Sequence, residues 1–152
     1  MYYNIPQHLI LAMQHIGTSE IPGPASNPEI NKWLEVVGLP GDDEIPHCSA
    51  FVNYVLKGSA VPITGSGMAR SFLNWGYDVP FRVGAIVVIS RGVDPRFGHV
   101  GFILDESRGK LCILGANQMN RVGVNLYDAN RLLGYRWHSD IRTISLPRPI
   151  IL

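Results

Sequence analysis

The hydrophobic period changes once along this 152-residue chain, and that change limits the fold more than any single motif does. In the first half, apolar side chains recur at helical spacing. Leu9, Ile10, Met13 and Ile16 form one such set, with Pro6 suited to a first helical position and Gly17 ending the pattern. Asn27 caps a second helix with Pro28 at its first position; Ile30, Trp33, Leu34 and Val37 then fall at i, i+3, i+4 and i+7 before Gly38. A third helix, from about Cys48 to Lys57, is apolar on nearly every side and is predicted to be the central buried one. Ser66 is placed to cap a short fourth helix holding Met68, Ala69, Phe72 and Leu73. From Gly84 onward the pattern becomes short β-rich runs, at 84–90, 99–104, 110–115, 122–127 and 133–137, with turn residues between them. Runs of that length in meander order predict an antiparallel sheet of about five strands. Helices first and strands after define an α+β class with the helices packed on the sheet. No internal repeat or flexible linker divides the chain, so a single domain over 1–152 is expected.

Composition narrows the function classes. Thirteen Lys and Arg against twelve Asp and Glu give a net charge of +1, which supplies no field for nucleic acid or an anionic membrane. The scattered Arg131, Arg136, Arg142 and Arg148 read as solvated surface. No apolar run approaches the roughly 18–20 residues that span a bilayer, so no membrane insertion is expected. No Lys or Arg precedes the first apolar stretch, so a secretory signal is not expected either, and synthesis in the cytoplasm is. Two cysteines and five histidines, none at ligand spacing, point to neither a disulfide framework nor a metal centre, and no cofactor is expected. Asp42, Asp43 and Glu44 fit no ordered calcium loop and read as a solvated turn. Trp33, Trp75 and Trp137 read mainly as core.

Cys48 opens the central helix. There the unsatisfied N–H groups and the positive end of the macrodipole favour a thiolate over a thiol. Alone, a cysteine on an apolar helix is by default a buried structural thiol, as Cys112 in its strand is expected to be. About fifty residues later His99, flanked by glycines at a strand start, offers a base. His47 adjoins the thiol and competes for that role, but adjacent residues at a helix start point apart, which favours His99. The hairpin through 105–109 places residues 115–117 opposite His99, so Asn117 is the candidate to orient the imidazole through its neutral carbonyl. Gln118 fits either a substrate contact or a backbone contact.

The motifs also carry a family likeness. Pro46-His47-Cys48-Ser49-Ala50-Phe51-Val52 resembles the nucleophile motif of the NlpC-like and CHAP (cysteine, histidine-dependent amidohydrolase/peptidase) enzymes, and Gly98-His99-Val100-Gly101 resembles their histidine strand. One compact phage and prophage branch is similar over about residues 9–137. There Glu20-Ile21-Pro22-Gly23, Asn27-Pro28-x-Ile30, Cys48 to Leu56, Gly98 to Phe102, Leu114-Gly115-x-Asn117-Gln118 and Gly134-Tyr135-Arg136-Trp137 have counterparts in the same order. The resemblance implies a papain-like fold and a peptidoglycan hydrolase that cuts an amide bond in the peptide part of the bacterial cell wall. It implies Cys48 and His99 as the dyad with Asn117 third. Glu20 then lines the site, and His47, Ser49 and Gln118 serve as auxiliary or substrate-binding residues. It further implies a monomeric endolysin that binds bacterial peptidoglycan, accumulates in the host cytoplasm and reaches the periplasm or wall after holin-type release. The chain departs from the branch at His47, where Trp or Asp is frequent, and at Ala116, where Gly is common. An inactive wall-binding or structural phage module, and a secreted antibacterial amidase effector, are the alternatives. Amidase and endopeptidase chemistry use the same dyad, so the bond cut stays open.

Overall fold

The computed structural model describes residues 2–41 and 46–149; Asp42, Asp43 and Glu44 lie outside them. In chain order the elements are β1 (Tyr2–Pro6), α1 (Gln7–Met13), α2 (Pro28–Val36) and α3 (Cys48–Gly58). A short 3-10 helix (Ala69–Asn74), β2 (Tyr77–Asp78), β3 (Ile86–Ser90) and β4 (Gly98–Ser107) follow. The chain continues with β5 (Lys110–Gln118), β6 (Arg121–Asp128), a 3-10 turn (Ala129–Arg131), β7 (Leu132–Trp137) and β8 (Thr143–Pro147). The class is α+β. The main sheet runs in the order β2-β7-β3-β4-β5-β6 with every pair antiparallel, and β1 pairs with β8 in a separate two-stranded ribbon. None of the described helices is long and apolar enough to cross a membrane.

The main sheet therefore has six strands rather than five. The extra strand, β2, is two residues long and exposed, too short to carry a period. The ribbon was equally silent: all five residues of β8 are exposed, so no buried face marks it. α2 forms as the sequence predicts, with Asn27 Oδ1 accepting from the Glu29 N–H at 2.9 Å. α1 ends at Met13, short of Ile16, and Pro6 is its extended N-cap rather than its first helical residue. Ser66 Oγ accepts from the Met68 N–H at 3.1 Å, but the helix that follows is 3-10 and begins at Ala69.

Both faces of the sheet are buried. Ile86, Val88, Val100, Phe102 and Leu114 pack on one side against Phe51, Val52 and Val55 of α3. The alternate residues Val87, Ile89, Ile103 and Ile113 pack on the other with Tyr135 and Trp137. α3 thus lies against β4 and β5, which sets its first residue beside the start of β4. Trp33, Trp75 and Trp137 are all buried. Arg142 and Arg148 are exposed, as the solvated reading expects, but two arginines depart from it: Arg131 donates to the Ser90 carbonyl at 2.8 and 3.1 Å, and Arg136 to the Trp75 carbonyl at 2.8 Å and Asp78 at 2.7 Å. The planar guanidinium fork lets one side chain tie two strand ends together.

Candidate functional site

Cys48 is the first residue of α3 and is 5% exposed. The backbone N–H groups of Ser49 and Val100 both point at its sulfur, one from the helix start and one from β4. His99 sits one residue into β4, opposite Ile89 of β3, and its imidazole is near enough to the same sulfur to favour its ionisation. The glycines around it permit close packing. A Cβ on Gly98 would stand 2.8 Å from the Ile89 carbonyl oxygen, and one on Gly101 would stand 2.7 Å from that of Leu114.

The third member of the series is Gln118 and not Asn117. Gln118 Oε1 lies 2.9 Å from His99 Nε2. Its Nε2 donates to the carbonyls of Ile113 at 3.2 Å and Gly123 at 2.8 Å. Asn117 would face His99 only if β5 stayed regular to its end. Instead Asn117 takes a left-handed φ of 57° and the pairing with β6 breaks between Gly115 and Gln118. That bulge leaves Asn117 half-buried and turns the Gln118 side chain, 2% exposed, onto the imidazole. Gly115 makes the room: a Cβ there would be 3.0 Å from Gln118 Oε1 and 3.4 Å from His99 Nε2. Tyr127 of β6 completes the enclosure, its ring centroid 5.4 Å from that of His99 at a tilt of 32°.

Charge and burial oppose each other here. Burial is the largest influence on Cys48 and disfavours its ionisation. The hydrogen bond and charge of His99, with the Val100 and Ser49 N–H groups, outweigh it together and hold the thiol below its ordinary range. His99 mirrors this. Burial pushes its proton affinity down most, but the bond and charge of Cys48, with the bond to Gln118, carry it above the ordinary histidine value against a smaller opposing push from Arg91. Each group favours the charged form of the other, so the site is built for a thiolate–imidazolium pair.

His47 is buried, 1% exposed, with its ring 5.9 Å from Trp33, while the imidazole that favours ionisation of the thiol is that of His99. Ser49 is also fully buried. Its hydroxyl donates to the Ser66 carbonyl at 2.7 Å, so its side chain anchors a loop and does not face the cleft, while its N–H serves the sulfur. Glu20 is half-buried; its N–H donates to the Asn120 carbonyl at 3.1 Å, docking its turn against the tip that carries Asn117 and Gln118. Cys112, half-buried on β5, has its thiol pushed up by burial and by Asp105. Among the described residues no three His, Cys, Asp or Glu side chains gather as a metal site would require.

Cys48 opens onto a cleft of about 740 Å³, whose walls include Leu39, Met68 and Phe97 as well as Arg91 and Arg96. Sequence reasoning did not find Tyr127, the Val100 N–H or Arg91. The first depends on β6 folding back over β5, and the second on the seating of α3 against β4. Arg91 stood in plain view beside the strand 84–90, but nothing local marks which end of that strand meets the thiol.

A thiol, an imidazole and a carboxamide thus stand in series where a helix start meets an antiparallel sheet. No protein-family model matches the chain, and a search of curated proteins finds no match.

Proposed function

We propose that this chain is a papain-like cysteine peptidase of the NlpC/CHAP kind that hydrolyses an amide bond in the peptide part of bacterial peptidoglycan, as a phage endolysin does. The observation that carries the reading is the Cys48–His99–Gln118 series, with the thiol facing an open cleft. The ordered motifs from Glu20 to Trp137 supply the substrate class.

In the mechanism, the Cys48 thiolate attacks the amide carbonyl carbon and the carbonyl oxygen becomes an oxyanion, which the Cys48 backbone N–H stabilises at the helix start. Gln118 holds the Nε2–H of His99, which leaves Nδ1 to face the sulfur. The Nδ1 proton passes to the leaving amine as the C–N bond breaks, giving a thioester and a neutral imidazole. That imidazole then takes a proton from water, the resulting hydroxyl attacks the thioester, and the carboxylic acid leaves as the thiolate–imidazolium pair is restored.

Turbidity loss of outer-membrane-stripped bacterial cells tests the reading. Cys48→Ala and His99→Ala are expected to abolish lysis while circular dichroism stays native. Lysis retained by Cys48→Ala overturns the reading. Mass spectrometry of the digested muropeptides then identifies the bond, separating an amidase from an endopeptidase.

A further inference from the structure

Among the described residues, the charges lining the cleft beside Cys48 are unbalanced. Its described charged lining consists of Arg91, Asp94 and Arg96. Asp94 is already engaged: Arg96 contacts both its oxygens, with Nη2 to Oδ2 at 2.8 Å and Nε to Oδ1 at 3.1 Å, and the Arg96 N–H bonds Oδ1 at 2.9 Å. Asp94 therefore turns into its own loop. Arg70, close behind, donates to the Phe97 carbonyl at 2.6 Å and holds that same loop. Arg91 differs from these. It follows Ser90, which pairs with Gly98 next to His99, and among the described residues no carboxylate comes within ion-pair distance of it. Its charge is felt at His99, where it works against the imidazolium. A cation beside an imidazolium is a repulsive arrangement that an incoming anion relieves.

We propose that Arg91 is a specificity residue that binds a carboxylate carried by the substrate close to the scissile amide, with Leu39, Met68 and Phe97 receiving its aliphatic portion. The assignment of that carboxylate to a cell-wall stem peptide rests on the hydrolase reading above; the anion site itself does not. Arg91 serves this role because a guanidinium presents parallel donors to both carboxylate oxygens. It stands on an exposed loop, so its replacement leaves the core and the thiol–imidazole pair in place.

The test uses two alkylating reagents of nearly equal size. In both, the Cys48 thiolate displaces iodide from carbon; iodoacetate carries a carboxylate beside that carbon, and iodoacetamide a neutral amide. The rate ratio of iodoacetate to iodoacetamide at Cys48, measured by peptide mass spectrometry at low ionic strength, reads the anion site without any peptidoglycan. Arg91→Gln is expected to lower that ratio about fivefold, the effect of one unit charge at contact range in a water-like dielectric, while the iodoacetamide rate stays within about twofold. Arg91→Lys is expected to keep most of the ratio, and added salt to erode it. Cys112, beside Asp105, is the internal control whose ratio does not change. An unchanged ratio in Arg91→Gln overturns the proposal.

The wall substrate is read separately, from kcat/KM on stem peptides bearing free carboxylates against their amidated forms. Wild-type preference for the carboxylate, lost through KM in Arg91→Gln, supports the substrate assignment; equal use of both forms by wild type overturns it. A chain that lyses no wall but shows the alkylation effect retains the anion site and loses the hydrolase reading. One that lyses walls without the effect loses Arg91 alone.

Discussion

The carboxamide of Gln118 accepts from His99 Nε2 at 2.9 Å while its own nitrogen donates to two carbonyls, those of Ile113 and Gly123. Those two donor bonds fix which way the amide points, because a flip would set its oxygen against both carbonyl oxygens. The fixed oxygen in turn requires hydrogen on Nε2 of the imidazole. Gln118 thereby sets the tautomer as well as the orientation of His99, and the nitrogen left toward Cys48 is the one able to take and return a proton.

Substitution separates Gln118 from its neighbour. Gln118→Ala is expected to lower kcat by at least about tenfold, part of what a positioned acid–base group contributes, with KM little changed. Asn117→Gly is expected to leave kcat intact, because Asn117 holds a left-handed φ of 57° that glycine adopts without strain. Kinetics on a purified muropeptide decide the matter. Nitrogen-15 chemical shifts of the His99 ring, showing Nε2–H in wild type and a mixture in Gln118→Ala, check the cause.

On the proposed hydrolase function, a bell-shaped pH profile is expected. Activity needs Cys48 ionised and His99 protonated, so it rises with pH as the thiol loses its proton and falls as the imidazole loses its own. The thiol limb lies below the ordinary cysteine range and the imidazole limb above the ordinary histidine value. His99→Ala removes the partner that holds the thiol down, so the onset of Cys48 alkylation by iodoacetamide is expected to shift to higher pH. Cys112, whose thiol is pushed up, is expected to label at least about tenfold more slowly than Cys48 at neutral pH. Equal rates at the two cysteines would count against an activated Cys48.

Much of this was legible in the chain because the signals were local. The Asn27-Pro28 start of α2, the apolar run of α3 behind Cys48 and the glycines around His99 each declare themselves within a few residues. The choice between Asn117 and Gln118 was not legible. It turns on one residue of register at the end of β5, where the left-handed φ at Asn117 sends the next side chain to the opposite face. The hairpin itself gave no warning. Its turn is the tight two-residue Arg108-Gly109 pair, with φ of 54° and 72°, and a further slip lies between Ile103 and Asp105. β1 and β8 escaped notice for another reason: strands with little buried surface carry no hydrophobic alternation to read.

Acid should destabilise the protein through His8. This residue, 1% exposed, has its Nε2 2.6 Å from the Gly84 carbonyl oxygen, and Nδ1 is buried with no partner. Burial holds its pKa down to about 4 against 6.5, with the Gly84 bond opposing. The folded state therefore binds fewer protons than the unfolded one between those values, and stability falls as pH drops from 6.5 to about 4 and levels off below. At about 1.4 kcal/mol per pH unit the loss from this group is on the order of 3 kcal/mol. Urea unfolding at pH 7, 5 and 4 is expected to show that loss in wild type and a shallower slope in His8→Gln. Parallel slopes would mean that His8 is not the group responsible.

The floor of the cleft depends on Asn53, a fully buried side chain in α3. Its Oδ1 accepts from the Thr64 and Gly65 N–H groups at 2.9 and 3.0 Å, and its Nδ2 donates to the Ser49 carbonyl at 2.9 Å. With Ser49 Oγ on the Ser66 carbonyl, this ties the loop at 64–66 to the first turn behind Cys48 and so positions Gly67 and Met68 on the cleft wall. Asn53→Ala leaves the Thr64 and Gly65 N–H groups without their acceptor on a loop that is only partly buried, a loss of about 1–3 kcal/mol at roughly 0.5–1.5 kcal/mol for each hydrogen bond. Asn53→Asp keeps the acceptor but removes the donor to Ser49 and buries a charge, so it is expected to be no better tolerated. The decisive measurement is hydrogen exchange. The Thr64 and Gly65 amides are expected to lose protection in Asn53→Ala more than the amides of β3 and β4 do, because the loop opens before the sheet does. A uniform loss of protection across the chain would instead make Asn53 a general core residue with no particular hold on the cleft.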